Sequence, residues 1–294
     1  MSDKGYVRPD LIIETDALEK ELGAEDLRIV DCNVIMKTKS GGGYEIRTGR
    51  EDYLQSHIPG AIFLDLLIDL SDKNSTLRFM MPPAEQFASV VSAAGLGDDH
   101  RFVLYSRGPN YWATRLFLMF RALGFDNCRV LNGAWDKWVA EGRPTTADIT
   151  ALPAAKFTPK LRSGQIIGKE EVLAAIQNKD TCVINALTPQ VYSGETFNAA
   201  YGRPGHIEGS VNLYAYELID KMDNTFVDAA SMKQKFDAIG AFDHDHIITY
   251  CGGGISATTN SFALLLMGHE DVALYDGSMT EWGPDESLPM AKTA

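Results

Sequence analysis

The sequence lacks long hydrophobic runs and is short of basic residues. No stretch of about 18 apolar residues occurs in its 294 residues, so no transmembrane helix is expected. The N-terminal segment MSDKGYVRPDLIIETDALEK has no apolar core of the kind found in signal peptides. With 27 Lys and Arg against 40 Asp and Glu, the net charge is −13. This charge disfavours nucleic acids and anionic membranes as partners, but it allows a small anionic substrate held by a local positive group.

Cysteine is also scarce, and its spacing offers no metal site. The four cysteines are Cys32, Cys128, Cys182 and Cys251. None forms a C-x-x-C pair, and no Cys/His spacing typical of zinc sites occurs, so we predict no metal centre. So few cysteines in a chain of this size favour free thiols and a cytoplasmic location.

The chain repeats itself once. HIPGAIFLDL is matched by HIEGSVNLYAYEL, VLYSRGPNYWATRLFLMF by ITYCGGGISATTNSFALLL, and VLNGAWDKW by LYDGSMTEW. The aligned pairs are His57 with His206, Ser106 with Cys251, and Gly133 with Gly277, at offsets of 149, 145 and 144 residues. Three matches in the same order, at nearly constant offset, indicate two tandem copies of one domain.

Each copy alternates strands and helices. Short apolar runs such as RFVLYS and HIITYC predict buried strands, and amphipathic segments such as PAEQFASVVSAAGL predict helices between them. This alternation predicts an α/β fold of two tandem domains, each a mostly parallel sheet flanked by helices. We place the first domain at residues 1–145, a linker rich in Pro, Thr and Ala at 146–164, and the second domain at 165–294.

A glycine loop follows Cys251. The stretch TYCGGGISATT places the thiol at the carboxyl end of a predicted strand and directly before a predicted helix. Ligands of parallel sheets bind at such strand ends. Glycines allow a tight turn, and the amides of residues 252 to 256 can converge on one anion at the helix N-terminus. Such a site favours the thiolate, the nucleophilic form of cysteine.

An inert, buried thiol is the alternative interpretation of Cys251, because free cysteines are often buried. Two features favour a functional thiol. Three consecutive glycines are costly in a loop that only connects two elements. The first copy also keeps the same layout but has Ser106 in place of the cysteine.

These motifs together resemble the tandem-domain rhodanese family, the thiosulfate and 3-mercaptopyruvate sulfurtransferases. The resemblance rests on HIPGAIFLD, GHIEGSVN, CGGGIS and YDGSMTEWGPDESLP, and it covers nearly the whole chain. It implies two rhodanese-like domains, the first catalytically inactive and the second bearing Cys251. It also implies ping-pong transfer of a sulfane sulfur through a Cys251 persulfide, without a cofactor. The partners implied are a small anionic sulfur donor and a thiophilic acceptor, cyanide or a thiol.

The resemblance and the glycine loop together define the expected site. We expect the Cys251 loop to contact the substrate through Gly252, Gly253, Gly254, Ile255 and Ser256. The loop itself departs from the family pattern. It has no basic residue after the cysteine, and Gly253 stands where mercaptopyruvate enzymes usually have a serine. Leu187 stands where an arginine is usual.

Residues outside the loop must therefore hold the anionic donor. From Cys251 to the end of the chain, the only Lys or Arg is Lys292. Our first candidate is Arg203 in YGRPGHIEG, because its guanidinium can hold an oxyanion at fixed angles. Arg78 in STLRFMMPP is a second possible contact. His57 is a third, by resemblance to mercaptopyruvate enzymes, although a histidine that only ties down a turn explains it as well.

Three functions compete at this point. Sulfur transfer from thiosulfate leads, and 3-mercaptopyruvate is the alternative donor. A cysteine phosphatase needs an arginine six residues after the cysteine, and Ala257 stands there. The third function is a non-enzymatic sulfur carrier or binding module that receives its persulfide from a partner protein. Turnover of a small donor with cyanide distinguishes the enzyme from the carrier.

Overall fold

The computed structural model describes residues 4–39 and 43–293. In these two ranges the chain forms two α/β units in tandem. The strands of the first unit are β1 (Ile12–Ile13), β2 (Leu27–Asp31), β3 (Val34–Thr38), β4 (Tyr44–Thr48), β5 (Ala61–Phe63), β6 (Arg101–Tyr105) and β7 (Cys128–Leu131). Its helices are α1 (Thr15–Glu21), α2 (Arg50–Gln55), α3 (Ala84–Ala93), α4 (Tyr111–Ala122) and α5 (Ala134–Ala140).

The second unit repeats the order of the five sheet strands and of the helices, but its additional two-stranded pair lies elsewhere in the chain. Its strands are β8 (Ile166–Ile167), β9 (Thr181–Asn185), β10 (His206–Ile207), β11 (Val211–Asn212), β12 (His246–Tyr250), β13 (Val272–Tyr275) and β14 (Met290–Ala291). Its helices are α6 (Lys169–Ala175), α7 (Pro189–Ser193), α8 (Ala229–Ala238), α9 (Ala257–Leu266) and α10 (Ser278–Trp282). A 3₁₀ helix, Ala215–Leu218, follows β11.

Each unit is built on a parallel sheet of five strands. The strand orders are β1-β7-β6-β2-β5 and β8-β13-β12-β9-β11, so the two sheets have the same topology. Strands β6 and β12 lie at the centre and are buried apart from their first residues. Both sheets are flanked by helices, and the predicted fold class is confirmed. Because β12 is the central strand, the loop that starts at Cys251 lies at the middle of the edge formed by the carboxyl ends of the strands.

The two units pack against each other through α4 and α9. Every residue of α9 is buried, and all but two of the twelve residues of α4 are buried. Phe117 and Phe262 meet edge to face at 4.9 Å, and the Thr114 and Thr258 hydroxyls are 2.7 Å apart. A helix that is buried on all sides must pack against other elements of the protein. The contact between α4 and α9 therefore accounts for their apolar sequences.

The segment between the units lies along the first one. The Asp98 amide donates to the Lys156 carbonyl at 2.9 Å, and Phe157 is buried against Phe87 and Phe120. None of the helices in the described ranges is long and apolar enough to cross a bilayer.

Candidate active site

Cys251 lies at the carboxyl end of β12, at the start of the turn into α9. Its side chain is buried, with 2% of the residue exposed. The first residues of α10 hold this turn in place. The Met279 amide donates to the Cys251 carbonyl at 3.1 Å, and the Thr280 amide donates to the Gly252 carbonyl at 2.8 Å.

Ser278 fastens the same loop through its side chain. Its hydroxyl oxygen accepts hydrogen bonds from the amides of Cys251 and Gly254, each at 3.1 Å, and donates to the Tyr275 carbonyl at 2.8 Å. Ser278 adopts a left-handed backbone conformation, with φ at +50°. No local pattern distinguishes this serine in the sequence, because the amides that it binds lie 24 and 27 residues earlier in the chain.

Four of the five expected loop amides remain available to a ligand. The Gly254 amide is used by Ser278, so it does not join the expected ring. The amides of Gly252, Gly253, Ile255 and Ser256 donate to no acceptor in the part of the chain that the structure describes. Unpaired amides at a helix N-terminus suit an anion.

The three glycines have different steric roles. A Cβ on Gly252 would lie 2.3 Å from the Tyr201 hydroxyl oxygen. Gly254 has φ at +71°, and a Cβ there would lie 2.6 Å from the Asp276 carbonyl oxygen. Gly253 has space, since its nearest neighbour is the Thr280 hydroxyl at 3.7 Å. Packing therefore requires glycine at two positions, and a serine fits at the third.

Cys251 opens into a cavity of about 600 Å³ between the two units. The first unit contributes the segment 76–79, Tyr111 and part of the β3–β4 hairpin, and the second contributes the loop after Cys251 and the chain after β9. Of the expected loop contacts, all but Gly254 line this cavity: Gly252, Gly253, Ile255 and Ser256. Leu187, at the position of the missing arginine, lines it too.

Tyrosine dominates the polar lining. The five tyrosines are Tyr44, Tyr111, Tyr201, Tyr214 and Tyr216. Burial raises the pKa of Tyr111, Tyr201, Tyr214 and Tyr216 above the ordinary value. These four phenols therefore stay neutral at physiological pH and can donate hydrogen bonds. The sequence did not single them out, because they lie far apart along the chain.

Arg78 provides the charge in the cavity. Among the described residues, it is the only charged side chain in the lining. It is exposed, and its guanidinium has no hydrogen bond or ion pair with any of them. The structure thus places the second of the two arginine candidates in the cavity that Cys251 lines, with no partner for its guanidinium among the described residues.

Arg203 lies elsewhere. Its guanidinium donates to the carbonyls of Trp282, Gly283, Asp285 and Leu288, at 2.5 to 3.2 Å. The side chain does not line the cavity. It ties the loop before β10 to the C-terminal segment, so the expectation that it holds the donor must be corrected in favour of a structural role.

The two histidines make matching structural contacts. His57 Nδ1 lies 2.7 Å from the Tyr53 carbonyl, and its ring stacks on Tyr53. His206 Nδ1 lies 2.7 Å from the Tyr192 carbonyl, and its ring stacks on Tyr192. Neither histidine lines the cavity. The placement of His57 fits a histidine that only ties down a turn, and it gives the ring no place in the lining of the cavity.

Arg115 is a residue that sequence reasoning missed. This fully buried arginine of α4 donates to the Asp276 carboxylate at 2.5 Å, to the Gly254 carbonyl at 3.3 Å and to the Phe79 carbonyl at 2.5 Å. The Met81 amide also donates to Asp276, at 2.6 Å. One ion pair thus joins the Cys251 loop to the segment that bears Arg78. In the sequence, Arg115 is the one charged residue of the apolar stretch YWATRLFLMF, and a buried charge needs a buried partner.

The remaining cysteines lie in the cores. Burial raises the pKa of Cys32 and Cys128 well above the ordinary value and that of Cys182 to about 11. These three thiols are protonated at neutral pH and poor nucleophiles. All four cysteines are free.

In the first unit, the matching loop after β6 is held by hydrogen bonds to the side chain of Asn110. Asn110 has φ at +63°, and its Oδ1 accepts hydrogen bonds from the Ser106 amide at 3.1 Å and the Ser106 hydroxyl at 3.3 Å. Its Nδ2 donates to the Leu131 carbonyl at 2.7 Å. Pro109, just before it, has no amide hydrogen. The loop therefore offers fewer donors to an anion than the loop after Cys251.

Comparison with known proteins agrees with this arrangement. The family model of the rhodanese-like domain matches residues 14–141 and 169–285. The thiosulfate/3-mercaptopyruvate sulfurtransferase 2 of Arabidopsis thaliana is 29% identical over 301 residues, which cover 95% of this chain and 86% of the relative. The sulfur carrier protein TtuD of Thermus thermophilus is also 29% identical, with 98% and 99% covered. The crystal structure of SseA, a 3-mercaptopyruvate sulfurtransferase from Escherichia coli, superposes with a TM-score of 0.81 at 26% identity, covering 91% of this chain and 98% of SseA.

Proposed function

The chain belongs to the rhodanese family of sulfurtransferases, and we propose that it moves a sulfane sulfur from thiosulfate to cyanide or a thiol through a persulfide on Cys251. The supporting observation is the Cys251 loop. Its thiol opens into the cavity beside four amides that have no acceptor among the described residues. A persulfide anion needs such a set of donors, because it cannot be solvated fully in a buried site.

The transfer has two steps. The Cys251 thiolate attacks the outer sulfur of thiosulfate, a sulfur–sulfur bond forms on the enzyme, and sulfite leaves with the electron pair of the broken bond. Cyanide or a thiolate then attacks the outer persulfide sulfur, and the Cys251 thiolate is regenerated. No oxidant or metal takes part, and each step is a nucleophilic displacement at sulfur.

Arg78 supports thiosulfate as the donor. It supplies positive charge in a cavity that has no other charged lining residue among those described. A charge-assisted hydrogen bond from an arginine to an oxyanion is stronger than one between neutral groups. Sulfite also leaves without a proton, so the missing hydroxyl at Gly253 does not hinder this donor.

3-Mercaptopyruvate is the second candidate donor, and Tyr201 favours it. When mercaptopyruvate gives up its sulfur, the departing pyruvate must take up a proton. Tyr201 packs against Gly252, and burial raises its pKa, so the hydroxyl keeps its proton. This phenol can therefore donate a hydrogen bond to the departing enolate, a group that mercaptopyruvate enzymes are thought to handle through the loop serine, and the proton itself can come from water.

Steady-state kinetics with both donors and cyanide test the choice. We expect a higher kcat/KM for thiosulfate, and Arg78→Ala should raise KM for thiosulfate about tenfold through the lost charge-assisted bond. Gly253→Ser, for which the loop has space, should raise the rate with mercaptopyruvate relative to thiosulfate. A wild-type enzyme that prefers mercaptopyruvate, and depends on Tyr201 for it, would replace thiosulfate with this donor.

A sulfur carrier that needs a protein partner is less well supported. Only 2% of Cys251 is exposed, so a partner's thiol would have to enter the cavity to reach it. Small donors and acceptors meet no such barrier. Absence of turnover with any small donor, together with persulfide uptake from a partner protein, would favour the carrier.

Because the chemistry needs a free thiol, we also keep the cytoplasm, a reducing compartment, as the proposed location of the protein.

A further inference from the structure

Arg115 is a buried charge of the first unit that reaches the Cys251 loop of the second. Its Nη1 donates to the Asp276 carboxylate at 2.5 Å and to the Gly254 carbonyl at 3.3 Å. Only 1% of the residue is exposed. A guanidinium is costly to remove from water, so its hydrogen bonds at this place in the interface need a reason beyond packing.

Gly254 is held at both of its backbone polar groups. Its amide donates to the Ser278 hydroxyl at 3.1 Å, and its carbonyl accepts from Arg115. Its φ of +71° belongs to the left-handed region, and a Cβ would lie 2.6 Å from the Asp276 carbonyl oxygen. The two hydrogen bonds therefore fix the orientation of a residue whose backbone would otherwise have more freedom than any other.

The peptide bond after Gly254 passes this orientation on to the next amide. The bond is trans, and in a planar trans peptide the C=O and the N–H point in opposite directions. Since Arg115 binds the Gly254 carbonyl, the Ile255 amide points away from Arg115. This amide has no acceptor among the described residues, and Ile255 lines the same cavity as Cys251.

We propose that Arg115 is a positioning residue, which aims the Ile255 amide at the sulfur of Cys251 by holding the Gly254 carbonyl. The proposal rests on the proposed sulfur transfer through Cys251. Arg115 itself does not touch the sulfur. The amide that it orients stabilises negative charge on the Cys251 thiolate and on its persulfide, as a preorganised donor does in an oxyanion hole. The unit without a thiol in its own loop thus takes part in the reaction of the other.

This assistance runs in one direction. Helix α9, which packs against α4 across the interface, has no charged residue at any of its ten positions. The loop after β6 therefore receives no matching guanidinium from α9, and its Ser106 amide is bonded by Asn110 instead. The buried arginine serves the loop that carries the thiol.

Iodoacetamide is the probe that isolates the loop. Arg115 also donates to the Phe79 carbonyl, next to Arg78, so KM for thiosulfate responds to both ends of the guanidinium. Iodoacetamide carries no charge and needs no arginine, so its rate of reaction with Cys251 at one fixed pH reports the state of the thiol alone. Peptide mapping confirms that Cys251 is the residue alkylated.

Two variants separate positioning from a purely structural role. Arg115→Leu should slow alkylation of Cys251 about ten- to a hundredfold, because the thiolate loses one preorganised donor. The double variant Arg115→Leu, Asp276→Leu leaves no unpaired buried charge and should regain stability, but not reactivity, because the Gly254 carbonyl still lacks its donor. A double variant that regains both together would overturn the proposal.

Phe117→Leu is the matched control. Phe117 lies on the same helix and packs edge to face on Phe262 across the interface, but it has no polar group to offer the loop. This variant should be less stable, while Cys251 keeps its wild-type alkylation rate. An equal loss of reactivity in Phe117→Leu would show that the stability of the interface alone sets the rate, and the proposal would be wrong.

Magnetic resonance of the unmodified, isotope-labelled protein tests the amide directly. When thiosulfate loads Cys251, the Ile255 amide signal should move further than that of Gly254, whose amide stays bonded to Ser278. An unmoved Ile255 signal, on protein shown by mass to carry the persulfide, would contradict the proposal. If no sulfur is taken up at all, the proposed sulfur transfer is wrong, and the alkylation rates still decide the role of Arg115.

Discussion

Asp31 and Asn185 are the matching residues at which the two units differ in buried charge. Each ends the strand beside the central one, and each side chain accepts a hydrogen bond from the amide two residues later, at 3.0 and 2.8 Å. Burial raises the pKa of Asp31 from 3.8 to about 6. The folded protein therefore binds this proton more tightly than the unfolded chain. Stability from this group is complete below about pH 4 and is lost as the pH rises through about 6.

The variant Asp31→Asn should not show this loss of stability with rising pH, because its side chain carries no ionisable group. Near neutral pH we expect the variant to be more stable than the wild type by at most about 3 kcal/mol, since one pKa unit corresponds to about 1.4 kcal/mol. Below pH 4 the two should be alike. Asn185→Asp is the matched control and should destabilise the protein near neutral pH. Denaturant unfolding between about pH 4 and 8 measures the difference, and parallel pH profiles would contradict it.

At the scale of elements, the loops after β6 and β12 start alike and end differently. In the second unit a hydroxyl from α10 holds the Cys251 and Gly254 amides and leaves others free. In the first unit Asn110 itself bonds the Ser106 amide and hydroxyl. The difference lies in the loops, because the two sheets have the same strand order.

A thiol in the first loop should therefore remain inactive. We predict that Ser106→Cys installs a cysteine without a second site, because Asn110 and Pro109 leave too few amides to stabilise an anionic sulfur. The double variant Ser106→Cys, Cys251→Ser should show no transfer from thiosulfate to cyanide. Restored transfer in that variant would show that the first unit can be catalytic.

The C-terminal segment is held in place by one side chain, that of Arg203. We expect Arg203→Ala to lower the free energy of unfolding by about 2–3 kcal/mol, because four backbone carbonyls lose a charged donor. Its KM for thiosulfate should stay close to the wild-type value. Arg78→Ala should behave in the opposite way, with weaker donor binding and unchanged stability. A tenfold rise in KM for Arg203→Ala, at wild-type stability, would restore Arg203 as the donor contact.

The sequence predicts the strands better than it predicts the cavity. The apolar runs RFVLYS and HIITYC locate β6 and β12 to within a residue, because buried central strands have a strong local pattern. The position of Cys251 at the end of β12 follows from the same apolar pattern and from the three glycines after it. The cavity tyrosines depend on loops from both units, and no local pattern connects Tyr44 with Tyr216. The sequence could not reveal the carbonyl partners of Arg203, because they lie 79 to 85 residues further along the chain.

At the scale of the whole molecule, the two units share one hydrophobic cluster and one cavity. A single cluster of buried apolar residues includes Leu104 of the first sheet and Ile247 of the second. Arg115 and Asp276 pair across the interface and hold the segments on both sides of the cavity. Neither unit alone contains the complete lining.

Loss of Arg115 should affect stability and catalysis together. Arg115→Leu leaves a buried carboxylate without its partner, and breaking a buried pair in this way costs about 3–5 kcal/mol. Transfer should also slow, since the Gly254 carbonyl loses its donor. The double variant Arg115→Leu, Asp276→Leu should regain part of the stability, because no unpaired charge remains. Denaturant unfolding of the wild type, Arg115→Leu, Asp276→Leu and the double variant measures the coupling, and additive effects would argue against the pair.

The most direct test of sulfur transfer through Cys251 is mass spectrometry of the protein after incubation with thiosulfate. We predict one added sulfur atom on the intact wild-type chain, located by peptide mapping at Cys251, and its loss on addition of cyanide. Cys251→Ser should gain none and remain folded. Sulfur found on Cys32, Cys128 or Cys182, or retained by the Cys251→Ser protein, would contradict the assignment.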